Sequence, residues 1–161
     1  MRLDKIYDRY GEKMYHYLAL RLGSAQDAED VLQETFCRLT RYSWRWGLAR
    51  DPGAFFFRVL RNESNRFLRR RISRHAGEAL SLDKAGGMDS VIEAMGEGSA
   101  TLISKGLAHL PDEQKEVIIL KVYQDFTFKE IAALCGLSIN TVASRYRYGI
   151  ERLRSWLEGK L

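Results

Sequence analysis

Asn140, Thr141, Ser144, Arg147 and Tyr148 bring amide, hydroxyl and guanidinium groups together in one short stretch. Between them Ile139, Val142, Tyr146, Ile150, Leu153 and Leu157 recur at three- and four-residue steps, the spacing of one buried helical stripe. At about 100° per residue the polar set falls on the opposite side. Such a face, with little acid on it, suits base edges and phosphates in a major groove. The preceding residues supply what must hold this helix. Thr127 and Glu130 fit a capping box, in which hydroxyl and carboxylate satisfy orphan amides at a helix start. The short helix ends at Cys135-Gly136, where glycine tolerates the left-handed C-cap geometry, and Ser138 caps the second helix. Residues 127–154 are therefore predicted to form a helix-turn-helix.

A second chemical stripe lies upstream. From Pro52 to about Arg71, Phe56, Leu60, Ser64 and Phe67 share a face and are expected to pack inward. Phe55, Arg58, Asn62, Asn65, Arg66 and Arg69 share the other. Arginines that hold phosphates beside an aromatic that stacks on a base suit a nucleic-acid strand; the alternative is a solvated basic face. Asp51-Pro52 has the form of an N-cap followed by proline at the first helical position. Two amphipathic helices precede it. The first carries Leu3, Ile6, Tyr7, Tyr10, Met14, Tyr17 and Leu18 and ends near Gly23. The second opens at a Ser24/Asp27 capping box and turns Ala28, Val31, Leu32, Thr35, Phe36 and Leu39 inward. A loop, 42–50, holds Trp44 and Trp46. Residues 75–98 lose periodicity and gain glycine, as a flexible linker does. Ser99 opens a fourth helix with Leu102, Ile103, Leu107 and Leu110, and Pro111 begins the next, 112–123. With no strand pattern, the expected fold is all-α. Two small helical domains, 1–74 and 99–161, are joined by the linker 75–98.

Charge divides along the same boundaries. Residues 1–75 carry 16 Lys/Arg against 9 Asp/Glu, residues 76–98 carry 1 against 5, and residues 99–161 carry 9 against 7. The whole chain has a net charge of +5, basic enough to point to a polyanionic partner. Cys37 and Cys135 lie far apart in helical patterns and are read as small buried hydrophobes. Neither they nor the scattered histidines have zinc-site spacing. No signal peptide is visible, and no apolar run approaches the ~20 residues that span a bilayer. A cytoplasmic protein without membrane insertion is the expectation. No phosphate loop, HExxH or nucleophile–base pair is present, so no catalytic residue, cofactor or metal is predicted.

The two blocks together resemble a known family. Asp27-Ala-Glu-Asp-Val-Leu-Gln-Glu-Thr-Phe36, then Phe55-Phe-Phe-Arg-Val-Leu-Arg-Asn62 running into arginines, resembles region 2 of bacterial sigma factors. Leu110-Pro111, Lys129-Glu-Ile-Ala132 and Thr141-Val-Ala-Ser-Arg145 resemble their region 4. With only these two regions, the chain looks like an extracytoplasmic-function (ECF) sigma factor of the sigma-70 family. The resemblance implies partners: core RNA polymerase through its β′ clamp and β flap, promoter DNA, and an anti-sigma factor or other regulator, with a monomer when free. It implies that the second helix docks on the clamp through Asp30, Gln33, Glu34, Arg38 and Arg41. It implies −10 melting by Phe55, Arg58, Arg61, Asn62, Asn65, Arg66, Arg69 and Arg70, with Trp44 and Trp46 either lining a flipped-base pocket or packing in the core. It implies −35 reading by Asn140, Thr141, Ser144, Arg147 and Tyr148, with Arg145 a packing or phosphate residue at the stripe's edge. The chain departs from the family pattern at Phe55 (often tryptophan), Arg66 (commonly aspartate), Asn140 (commonly glycine) and Ala143 (commonly basic). The promoter preference of better-known members is therefore not carried over. An ordinary helix-turn-helix regulator, which binds a palindrome as a dimer, is the competing reading.

Overall fold

A computed structural model describes residues 3–41, 51–74 and 99–160, and the described residues are helical throughout with short connections. Trp44, Trp46 and the linker 75–98 lie outside them. The helices are α1 (Leu3–Leu22), α2 (Ala25–Arg41), α3 (Pro52–Arg74), α4 (Ser99–Ala108), α5 (Asp112–Ile118), α6 (Phe128–Cys135) and α7 (Ile139–Glu158).

The helix boundaries follow local chemistry. The Ser24 hydroxyl accepts from Asp27 N at 3.2 Å, and the Asp51 carboxylate accepts from Ala54 N at 3.2 Å, so both predicted N-caps form. The Asp27 side chain also ties α2 to α3, accepting from Arg71 Nη2 at 2.9 Å. At α6 the capping box is complete: Glu130 N donates to Thr127 Oγ1, and Thr127 N donates to Glu130 Oε1, each at 3.1 Å. Gly136 closes that helix with φ +68°, a left-handed geometry that glycine adopts without steric cost. Thr127→Ala is expected to lower stability by about 0.5–2 kcal/mol, read as a shift in the urea midpoint at unchanged slope.

α1, α2 and α3 pack around Ile6, Met14, Leu18, Leu39, Phe56 and Leu60, all fully buried. α4 to α7 pack around Leu107, Ile118, Ile119, Leu120, Ile131 and Val142. Gly149 lets α7 approach α5 closely, since a Cβ there would stand 2.8 Å from Ile118 Cδ1. Ile139 is a correction to the predicted stripe. It is 49% exposed, because the first residue of α7 projects past the end of the core that holds Val142 and Leu153.

After Ile118 the predicted helix 112–123 widens into a single π turn, Ile119–Tyr123, closed by Gln124 N donating to Ile119 O at 3.3 Å. Beyond it Asp125 takes a positive φ of 57°, a conformation Asp tolerates better than most residues. This irregular segment reaches α1 and α3. Gln124 Nε2 donates to Lys13 O at 3.1 Å, and the Phe126 ring meets Phe57 edge-on at 5.2 Å. The two helical groups are therefore docked on one another.

Candidate nucleic-acid interface

The outward face of α7 is built from its first turn. Ser138 Oγ accepts from Thr141 N at 3.1 Å and lies 2.9 Å from Thr141 Oγ1, so the Thr141 hydroxyl belongs to the cap as well as to the face. Val142 is fully buried and sets the helix rotation. Asn140, Arg147 and Tyr148 are exposed, while Thr141 and Ser144 are half-buried. The Arg147 guanidinium lies over the Tyr148 ring, 5.1 Å from its centroid, which limits the freedom of both side chains. Arg145 is also half-buried, with Nη2 4.0 Å from Glu113 Oε2 on α5.

Along α3 the predicted stripe divides. Arg58, Asn62, Arg69 and Arg70 are exposed. Phe55 is half-buried, its ring edge against Phe56 at 5.9 Å. Arg66 is half-buried, with Nη1 3.6 Å from Glu63 Oε1 one turn earlier on the same helix. Arg61 and Asn65 are engaged by the docked helices or by groups beneath them. Arg61 Nε donates to Glu116 Oε1 at 2.6 Å, and Asn65 Oδ1 accepts from Arg21 Nη2 at 2.6 Å.

On α2, Asp30, Gln33, Glu34 and Arg41 are exposed as predicted for an interface. Arg38 is held lower, with Nε 2.7 Å from Glu63 Oε1 and 3.4 Å from Glu34 Oε1. Glu63 is 6% exposed and faces Arg38 and Arg66, so one carboxylate joins the outward helix to the basic one. Asp30, Glu34, Glu63, Arg66 and Arg70 line a continuous cleft between α2 and α3. Sequence reasoning missed Glu63. Its only signal was an isolated acid in an arginine-rich helix.

Sequence reasoning also missed the polar cluster between the helical groups. Arg21 is 3% exposed and donates to Tyr17 Oη (3.0 Å), Ser64 Oγ (2.6 Å) and Asn65 Oδ1 (2.6 Å). Its Nη2 lies 3.2 Å from Asp112 Oδ2 and 3.3 Å from Glu116 Oε2. Burial opposes the charge on Arg21, but the Glu116 and Asp112 carboxylates outweigh it and hold the guanidinium more basic than usual. Burial and the Glu116 charge push the Tyr17 phenol up, so it stays protonated and donates to Glu116 Oε1 at 3.1 Å. The same two causes raise the Cys135 thiol to about 11, and its Sγ lies 3.8 Å from Glu116 Oε1. Burial lowers the Lys115 amine, with Arg21 and Arg71 adding to the effect and Asp112 opposing it. Cys37 is exposed, contrary to its reading as a buried residue, and Cys135 is half-buried. At neutral pH a thiol reagent is expected to modify Cys37 well before Cys135, measured by peptide mass spectrometry; equal rates would contradict the placement of Cys135.

Among the described residues no group of His, Cys, Asp and Glu is arranged to hold a metal ion, and no helix is long and apolar enough to cross a membrane.

Comparison with known proteins gives two family matches in the same order as the two helical groups. Residues 6–74 match the model for sigma-70 region 2, and residues 101–153 match that for sigma-70 region 4. The ECF RNA polymerase sigma factor SigL of Mycobacterium tuberculosis is 33% identical over 157 residues, covering 95% of this chain and 87% of that protein. SigW of Bacillus subtilis, another ECF RNA polymerase sigma factor, is 27% identical over 162 residues, covering 94% and 87%. Among solved structures, the sigma factor RpoE from Bartonella quintana, in complex with the anti-sigma factor NepR, superposes with a TM-score of 0.72 at 23% identity. That match covers 90% of this chain and 89% of RpoE, and it shows a shared fold.

Proposed function

This chain belongs to the sigma-70 family, as an ECF sigma factor, and from that premise we propose how its surfaces divide the work. It binds core RNA polymerase and directs promoter-specific transcription initiation. In our reading, residues 1–74 dock on the polymerase and open the −10 element, residues 99–161 read the −35 element as duplex, and residues 75–98 tether the two. Tethering raises the effective concentration of the second contact, so each alone can be weak. The bond-forming chemistry belongs to the polymerase, and the site of action is the cytoplasm. An anti-sigma factor or other regulator is a further proposed partner.

The observation that best supports this division is the pairing of two exposed faces on one chain. Arg58, Asn62 and Arg69 lie on α3, and Asn140, Arg147 and Tyr148 lie on α7. The first has arginine and amide groups for a separated strand, and the second suits a major groove. In-vitro transcription with bacterial core polymerase on a fragmented source genome tests the whole reading. Discrete 5′ ends that require this protein and follow two unlike shared elements are expected. Binding to a palindrome without any binding to core would overturn it.

Two expected outcomes separate the surfaces. Glu34→Lys reverses a charge on the exposed face of α2 and should weaken core binding; normal affinity for core would remove α2 from the docking surface. Arg147→Ala should cost about 1–3 kcal/mol at the −35 element if the guanidinium reads a base. Competition binding across −35 variants distinguishes this from a phosphate contact, whose loss would be the same on every sequence.

A further inference from the structure

Arg21 is more buried than any other charged residue described. Its partners on α1 and α3 are neutral: the Tyr17 and Ser64 hydroxyls and the Asn65 amide oxygen. The carboxylates recorded beside it, Asp112 and Glu116, both come from α5. Arg61 on α3 follows the same rule, with Nε 2.6 Å from Glu116 Oε1. One carboxylate, 5% exposed, thus sits between two guanidinia that belong to the other helical group.

Undocking α5 would leave α1 and α3 with a recess formed by two guanidinia, two hydroxyls and an amide. That donor set is one a phosphodiester takes, because guanidinia offer paired N–H groups to its two unesterified oxygens. The recess adjoins the proposed strand path. Arg58 and Asn62 are exposed on α3, within one helical turn of Arg61 and Asn65. A buried charge cluster of this kind holds only while its opposite charge stays in place, whether a carboxylate or a phosphate supplies it.

We propose that Arg21 and Arg61 form a phosphodiester-binding recess for single-stranded DNA, and that Glu116 fills it as an internal competitor in the docked arrangement. The proposal deepens the function given above and rests on it. The DNA strand and α5 exclude one another at this point, so the helical groups must part before the strand can seat. The Gln124–Lys13 and Phe57–Phe126 contacts hold the excluded state together with Glu116.

The test uses the full chain without polymerase. Anisotropy measures its binding to a fluorescein-labelled single-stranded oligonucleotide, and small-angle X-ray scattering measures its radius of gyration. Glu116→Gln keeps the side-chain size, removes the competing charge and should tighten binding roughly tenfold while expanding the protein. Glu113→Gln removes an equal charge from an exposed position on the same helix and should leave both readings close to wild type. Arg61→Ala added to Glu116→Gln should abolish the gain. If circular dichroism shows Glu116→Gln misfolded, Asp112→Asn replaces it, with the same direction expected. An equal gain from Glu113→Gln would reduce the effect to net charge and overturn the recess. Expansion without tighter binding, or neither change, would overturn it too. In either case promoter-specific transcription with core would leave the sigma-factor reading standing. Tightened binding by a protein that cannot engage core would remove that reading and keep the recess.

Discussion

Arg58→Ala combined with Asn62→Ala is expected to reduce open-complex formation by about 2–4 kcal/mol, roughly 30- to 900-fold, with core binding nearly unchanged. Both side chains are exposed on α3, and the fully buried Phe56 and Leu60 that fix the helix on α1 and α2 are untouched. The loss should therefore come from the DNA surface and leave the fold intact. Permanganate reactivity of the −10 thymines reads strand opening, while a gel shift with core reads docking. If strand opening and core binding fell together, the two side chains would belong to the docking surface or to the fold. Phe55→Ala is a useful companion. Its ring is half-buried, so it should affect strand opening more than stability.

Phe56→Ala should do the reverse. Its ring is fully buried, with Tyr10 edge-on at 5.7 Å and Phe55 at 5.9 Å. Truncation to alanine leaves a cavity in the core shared by α1, α2 and α3, at a cost of about 3–5 kcal/mol. That is a large part of the 5–15 kcal/mol typical of a folded domain. Urea unfolding should show a much lower midpoint, and core binding and strand opening should be lost together as temperature rises. A midpoint within experimental error of wild type would mean that Phe56 is not the packing centre of these helices.

The contrast between Phe55 and Phe56 shows what the sequence made legible. Adjacent phenylalanines differ by about 100° around a helix, and the flanking pattern of Leu60 and Ser64 was enough to assign each to its face. The Thr127/Glu130 box, the Gly136 cap and the Asp51-Pro52 start were equally readable, because each depends on residues within four positions. Arg21, Glu63 and Glu116 were not. Periodicity treats a charged residue as surface, and nothing local marks Arg21 as the partner of a carboxylate 95 positions away. Ile139 was misplaced for a related reason. Its rotation fits the buried stripe, but the stripe's rule ignores where the core ends along the helix axis. The docking of α5 on α1 and α3 depends on three-dimensional complementarity, which spacing alone does not encode. Of the two faces that spacing picked out, Arg58, Asn62 and Arg69 on α3 and Asn140, Arg147 and Tyr148 on α7 do point to solvent.

The π turn at Ile119–Tyr123 makes the count of residues in this segment matter as much as their identity. A π turn holds about one residue more than an α turn. Deleting one residue between 119 and 123 would let the helix close as ordinary α, and everything downstream would swing by about 100° and retreat by about 1.5 Å. Gln124 and Phe126 would leave Lys13 and Phe57, and α7 would aim its outward face in a new direction. Apolar exchanges that keep the count should be tolerated far better than any single-codon deletion. A scan of deletions and substitutions across this stretch should therefore show a sharp asymmetry between the two kinds of change.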